Sequence, residues 1–247
     1  MPVAFGKSPL LEAVFELRFQ AAVSTAGDLL PGLLYSVLKD EYPEVQPLPV
    51  ASVPRDLREK QPNLRYQATH RLAAESRAVQ VGDRVLSLSV TSPYPGWAKF
   101  NEAIGRLLRT VSDTRMVRAL ERFSFRYINH IPAEPGQSQL SFLKLRIDSP
   151  GYGFAETGFH LRFEHVEGKF LTIVQAAPNT SVESPGKSPA LGLLLDIDTI
   201  RELPGKALSE IGVELEEAHS VAKRAFISLI SESTLNRLAP TYEHASS

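Results

Sequence analysis

The order in which apolar patterns follow one another leaves this chain little room for a parallel sheet. Leu10–Gln20 alternates, with Phe15, Leu17 and Phe19 on one side and Glu16, Arg18 and Gln20 on the other, the period-two mark of a half-buried strand. Pro9 stops any ladder just before it. Leu29–Leu38 switches to helical spacing through Leu30, Leu33, Leu34, Val37 and Leu38, with Asp28 as its cap and Pro31 in its first turn, where proline is tolerated. Pro43–Pro62 holds five of the 18 prolines and reads as an extended loop. Leu64–Ser76 alternates loosely. In Arg77–Val90, a two-residue turn at Gly82-Asp83 would pair Val81 with Arg84 and Val79 with Leu86. One face of this hairpin then collects Val79, Val81, Leu86, Leu88 and Val90. Gly96–Val111 is helical in spacing, and Val117–Ile131 alternates again around Phe123, Phe125 and Tyr127.

The second half repeats the bias. Leu140–Ile147 reads as a strand, Phe159–Gln175 as a hairpin around Glu167-Gly168, and "ALGLLLDID" as a buried strand. Ala207–Ile230 reads as an amphipathic helix of about six turns. Consecutive parallel strands need a long crossover between them, usually a helix, and most strands here have none. The expectation is therefore an α+β protein with two antiparallel-sheet halves, residues 1–132 and 138–247, packed helices and a long amphipathic C-terminal helix. One continuous domain is the variant of this reading. "GKSP" opens an apolar run at both Gly6 and Gly186, an echo too short to prove duplication.

Composition removes several chemistries. The 247 residues include no cysteine, so disulfides, thiolate metal sites and a cysteine nucleophile are out. The net charge of −1 supplies no global field toward nucleic acid or an anionic membrane. No run of about 18 apolar residues is present to span a bilayer, and the N-terminal stretch lacks the basic and apolar regions of a signal peptide. A cytoplasmic protein without a membrane partner is expected.

Tempting motifs fail on spacing. "GKS" occurs twice, but Met1 and Ser181 stand where a phosphate-binding loop needs glycine, and Pro9 and Pro189 follow at once. Glu216-x-x-His219 has the spacing of a carboxylate-bridged di-iron helix, yet only one copy exists where two are needed. Neither a metal nor a cofactor is expected. Asp196 and Asp198 share a strand face and read as surface charge. Two arginine-rich stretches, residues 55–84 and 106–126, could together form a nucleic-acid face; the second contains Arg106, Arg109, Arg115, Arg118 and Arg122. Trp97, the single tryptophan, follows the Pro93–Gly96 turn and continues the stripe of Phe100 and Ile104. Gly96 and Trp97 are thus expected as turn and core anchor.

Four segments also carry a family likeness: "KSPLLEAVFELRF", "YPGWAKF", "ERFSFRYINHI" and "LEEAHSVAKRAFISLIS". They resemble a sporadically distributed prokaryotic family of conserved hypothetical proteins with Tyr-x-Gly-Trp and Leu-Arg-Tyr-Ile-Asn motifs. Phe125 replaces the leucine of the second motif. The matching positions are Pro9, Glu12, Tyr94, Gly96, Trp97, Arg126, Tyr127, Asn129, Glu217, His219 and Phe226. The resemblance implies no enzymatic activity. The family's patchy distribution is similar to that of mobile or defence-associated genes, including toxin–antitoxin and immunity partners. Arg126 and Asn129 face opposite sides of their strand, and one must set a polar group among apolar neighbours. Glu12 could pair with Arg126 across adjacent strands.

Three readings follow. The first is a non-catalytic protein-binding or regulatory module with Glu12, Arg126, Asn129 and His219 as binding residues, a protein partner, and homodimerisation open. The second is a nucleic-acid-binding protein using the two arginine stretches. The third is an enzyme assembled from those same four binding residues, which predicts that they converge in one pocket.

Overall fold

A computed structural model of the chain describes residues 4–147, 151, 158–184 and 187–242. In chain order these form β1 (Ala4–Phe5), β2 (Leu10–Ala21), α1 (Ala26–Leu38), β3 (Glu44–Pro47), α2 (Arg55–Lys60), β4 (Ala68–Ala73), β5 (Arg77–Gly82) and β6 (Val85–Thr91). There follow α3 (Trp97–Thr114), β7 (Val117–Pro132), β8 (Leu161–Glu167), β9 (Phe170–Ser184), β10 (Lys187–Glu202), α4 (Gly212–Leu229), α5 (Glu232–Arg237) and β11 (Pro240–Thr241). The protein is α+β, and every strand pairing among the described residues is antiparallel.

The two expected halves share one sheet. Nine strands run in the order β3-β4-β5-β6-β2-β7-β10-β9-β8, and β1 pairs with β11 in a separate ribbon. The join is β7 with β10, from Pro132 opposite Gly192 to Arg122 opposite Glu202. A 16-residue strand with this much buried backbone needs hydrogen-bond partners on both edges. β2 supplies one edge and β10 the other.

Alternation decided the faces as expected. Ala13, Phe15, Leu17 and Phe19 of β2 are fully buried. They align with Tyr127, Phe125 and Phe123 of β7 and with Val90, Leu88 and Leu86 of β6. α1, α3 and α4 all make their sheet contacts against this apolar side. The opposite side carries paired charges: Glu16 accepts from Arg18 along β2 and from Arg122 across to β7, and Arg126 forks onto Asp196 of β10.

Several local expectations are corrected. The β5–β6 hairpin sets Val81 opposite Leu86 and Val79 opposite Leu88, so Asp83 and Arg84 form its tip. The register moved by two residues, which keeps every side chain on its expected face. A reason lies at the turn: Gly82 nestles where a Cβ would come within 2.4 Å of the Gln67 carbonyl oxygen, and Asp83 turns inward to Arg58. Helix α1 starts at Ala26, with Asp28 in its first turn rather than at its cap. Leu140–Phe142 is a 3-10 turn, and only Leu143 bridges to another strand-like residue, Ile230. The C-terminal helix is 18 residues long, five turns. Before it, the Glu210 carboxylate accepts from the Ala207 N–H at 2.6 Å in a separate 3-10 turn. After it, Ser231 accepts from the Thr234 N–H and starts α5.

The interior is two clusters. The larger joins β2, β5, β6, β7, α1, α3 and the first half of α4. The smaller joins Ile131, Phe142, Leu143, Val174, Leu193, Leu195, Ile197, Phe226 and Ile230. Helix α4 belongs to both, and the seam between them positions the site.

Candidate functional site

A cavity of about 260 Å³ opens at this seam. Strand β7 contributes Tyr127 and Asn129, the turn before α3 contributes Tyr94 and Gly96, α3 contributes its first residue, Trp97, and α4 contributes His219, Ala222, Lys223 and Phe226. Phe5, Ser8, Pro9 and Leu10 close another side. On α4 the four positions follow one helical face at i, i+3, i+4 and i+7. Gly96 has φ of +92° and starts α3, whose first full turn bonds the Phe100 N–H to the Gly96 carbonyl. That backbone region favours glycine, and it turns Trp97 back toward the sheet.

Trp97 is both core anchor and cavity wall. Its edges meet Phe125 at 5.4 Å and Phe100 at 6.4 Å between centroids. Its face stacks on the His219 imidazole at 4.0 Å and 3°. Its Nε1–H donates to Glu216 Oε2 at 2.7 Å, while Asn101 Nδ2 donates to the other oxygen at 2.9 Å. Glu216 and His219, spaced like a metal motif, instead clamp the indole. Among the described residues, no group of three or more His, Asp or Glu side chains is placed to hold a metal ion.

The polar groups of the cavity are ordered by burial. Tyr127 Oη lies 2.9 Å from His219 Nδ1. Burial first, then the neighbouring Tyr94, holds the Tyr127 phenol protonated far above its ordinary range. A protonated phenol can donate to Nδ1 or accept from it, so this bond joins the two side chains in either imidazole tautomer. Burial, helped by the Lys223 charge, lowers the His219 pKa to about 4. The Tyr94 hydroxyl is buried beside Tyr127, close enough to perturb it, but makes no hydrogen bond of good geometry. Burial raises its pKa as well. Asn129, 5 % exposed, donates from Nδ2 to the Tyr127 and Leu195 carbonyls at 3.2 and 3.4 Å. Two carbonyl acceptors fix the amide's orientation, and among the described residues Oδ1 has no hydrogen-bond donor.

The four binding candidates do not meet. Asn129 and His219 line the cavity; Glu12 and Arg126 do not. Arg126 lies on the charged face, where its Nε and Nη2 reach Asp196 at 2.9 and 2.6 Å. Glu12 adds only a weaker attraction there. The pair expected between Glu12 and Arg126 is thus replaced by Arg126–Asp196, because β10 brings a carboxylate closer. Asp196 is buried rather than surface charge, and burial raises the pKa of Asp198 beside it against Ser124 and Arg122.

The five arginines do not form one face either. Arg106 pairs with Glu41, and Arg115 closes α3 in the left-handed region. Arg109 is exposed on α3. Arg118 reaches Gln20 and Arg122 reaches Glu16. Only Arg118 joins members of the first stretch, Lys60, Arg65 and Arg84, around a cleft of about 700 Å³ at the end of β2.

Eight of the eleven motif positions line the cavity: Pro9, Tyr94, Gly96, Trp97, Tyr127, Asn129, His219 and Phe226. Glu217 pairs outside it with Lys169 at 2.7 Å. Lys223 escaped the sequence reading, although its position one turn after His219 on an amphipathic helix was visible. No protein-family model matches this chain, and no match is found among curated proteins.

The His219 environment makes the fold acid-sensitive. Its folded pKa lies below its unfolded value, so the unfolded chain binds the proton more readily between pH 6.5 and 4. Stability therefore falls as pH drops through that window, by on the order of 3 kcal/mol from this group alone. Burial also lowers His130, which adds in the same direction. Urea unfolding at pH 7.5 and 4.5 should show a shallower loss in His219→Gln than in the natural sequence. Equal losses would exclude His219 as the source.

Proposed function

We propose that this chain is a non-catalytic binding module, a regulatory partner of the antitoxin or immunity type, whose recognition site is the Trp97–His219 cavity. Convergence carries the reading. Residues from four sequence-distant stretches meet around one opening at the seam of two cores. A mostly apolar concavity with a few fixed polar groups is the usual form of a binding site. Holding is favoured over transforming, because a general base works best with a pKa near the operating pH and His219 lies at about 4. The family resemblance agrees with this reading and points to a protein partner. Strand β8, at the sheet edge among the described residues, offers a second copy of the chain a place to pair.

The cleft shared by Lys60, Arg65, Arg84 and Arg118 favours a second reading, nucleic-acid binding. One experiment separates the two. The tagged protein is recovered from its native host at low and high salt, with and without nuclease, alongside His219→Ala and Arg118→Ala. A protein partner that survives salt and nuclease, and is lost only in His219→Ala, is the expected result. Nuclease-sensitive capture that falls steeply with salt and is lost in Arg118→Ala would replace the first reading by the second. Recovery of the protein alone would overturn both.

A further inference from the structure

The cavity's charge arrangement narrows its ligand, and this step rests on the binding reading above. None of its lining residues is acidic, and Lys223 is the one lysine or arginine among them. Among the described residues Lys223 has no ion-pair partner. The carboxylate one turn before His219, Glu216, is already taken by Trp97 and Asn101. The next acid along the helix, Glu217, is held by Lys169. The Lys223 ammonium is near enough to His219 for its charge to be felt there. Phe5, Leu10, Ile197 and Phe226 supply apolar walls, with the indole of Trp97 among them.

A cation beside a half-enclosed apolar space, without its own counter-charge, is set up for an anion that arrives on an apolar body. A bare inorganic anion would leave the walls unfilled, and a neutral hydrocarbon would leave Lys223 uncompensated. Size limits the body. A cavity of about 150 Å³ holds a benzene ring, so about 260 Å³ has room for about ten non-hydrogen atoms. That is one ring and a short arm.

We infer that the cavity binds a small carboxylic acid with a single apolar ring, the carboxylate paired with Lys223 and the ring against Trp97 and Phe226. The same chemistry occurs in a free aryl-alkanoic acid and in the terminal residue of a peptide ending in phenylalanine. Asn129 Oδ1 remains available to accept from the backbone N–H of the peptide's terminal residue, a donor that the ionised free acid lacks.

The test uses the full chain and four probes: 3-phenylpropionate, its neutral amide, and a tripeptide ending in phenylalanine with a free or an amidated terminus. Binding is followed by calorimetry and by emission of Trp97, the single tryptophan. In the natural sequence each acid should bind about tenfold or more tighter than its amide, as expected for a partly desolvated ion pair. Lys223→Gln should erase that preference while leaving amide binding within about twofold, as expected when only the charged contact is removed. A tighter free-terminus peptide identifies a partner chain as the source, and a tighter free acid a small molecule. Equal binding of acid and amide would overturn the carboxylate inference while leaving the cavity as a binding site. No binding of any probe would overturn both.

Discussion

Arg58→Met should destabilise the fold by about 3–5 kcal/mol, the cost of stranding one member of a buried ion pair. Arg58 and Asp83 are each 5 % exposed. The guanidinium meets the carboxylate twice, at 2.6 and 3.0 Å, and donates a third bond to the Val53 carbonyl at 2.6 Å. This clip ties α2 and the loop before it to the tip of the β5–β6 hairpin. It also abuts α1, since a Cβ on Gly27 would lie 2.1 Å from Asp83 Oδ1. Methionine keeps much of the stem but leaves the carboxylate buried without a cation. The pair Arg58→Met with Asp83→Leu should recover a large part of the loss, because two matched apolar groups carry no stranded charge. Urea denaturation of both single variants and the double variant measures this. Single-variant losses below about 1 kcal/mol would mean that the contact is no more than a surface pair.

Phe125→Ala should cost about as much, 3–5 kcal/mol in roughly the range for a large buried aromatic, and should also disturb the cavity. The ring is fully buried and touches five others: Phe15, Phe123, Phe100, Tyr127 and Trp97. It lies under the edge of Trp97, which it supports against His219. Phe123→Ala is the comparison. That ring is equally buried but, among the described aromatic rings, touches only Phe15 and Phe125. Both variants should lose stability in chemical denaturation, but only Phe125→Ala should shift Trp97 emission under native conditions. A shift of equal size in both would show that Trp97 responds to the core as a whole.

The strands were readable because alternation is local. Phe15, Leu17 and Phe19 announce a buried face within five residues, and the two-residue error in the β5–β6 register left every face intact. The failures have local causes as well. Leu140–Ile147 has enough apolar residues for a strand, yet Phe142 and Leu143 fill the second core from a turn. The C-terminal helix lost its first turn, because the Glu210 carboxylate reaches back to the Ala207 N–H and closes a separate 3-10 turn before Gly212.

The site was half legible. Asn129 was singled out by the conflict between its polarity and its apolar strand face, and the structure places it at the cavity. Arg126, chosen by the same argument, belongs to the other face, because alternation says that the two differ but not which side holds the pocket. Glu12 could be tied to Arg126 only by guessing the neighbouring strand, and β10 brought Asp196 instead.

By itself the sequence determined the α+β class, the buried faces of β2, β5, β6 and β7, and Gly96-Trp97 as a turn leading to an anchor. Those features depend on residues a few positions apart. Only the tertiary structure decided that the halves share one sheet and that the cavity sits between two cores. It also decided that Glu216, 119 residues beyond Trp97, holds its indole while His219 stacks on it. These contacts depend on the register of β7 against β2 and β10 and on the rotation of α4 over the seam. Strand register and helix rotation are set by packing across the whole interior, where no short stretch of sequence carries the information.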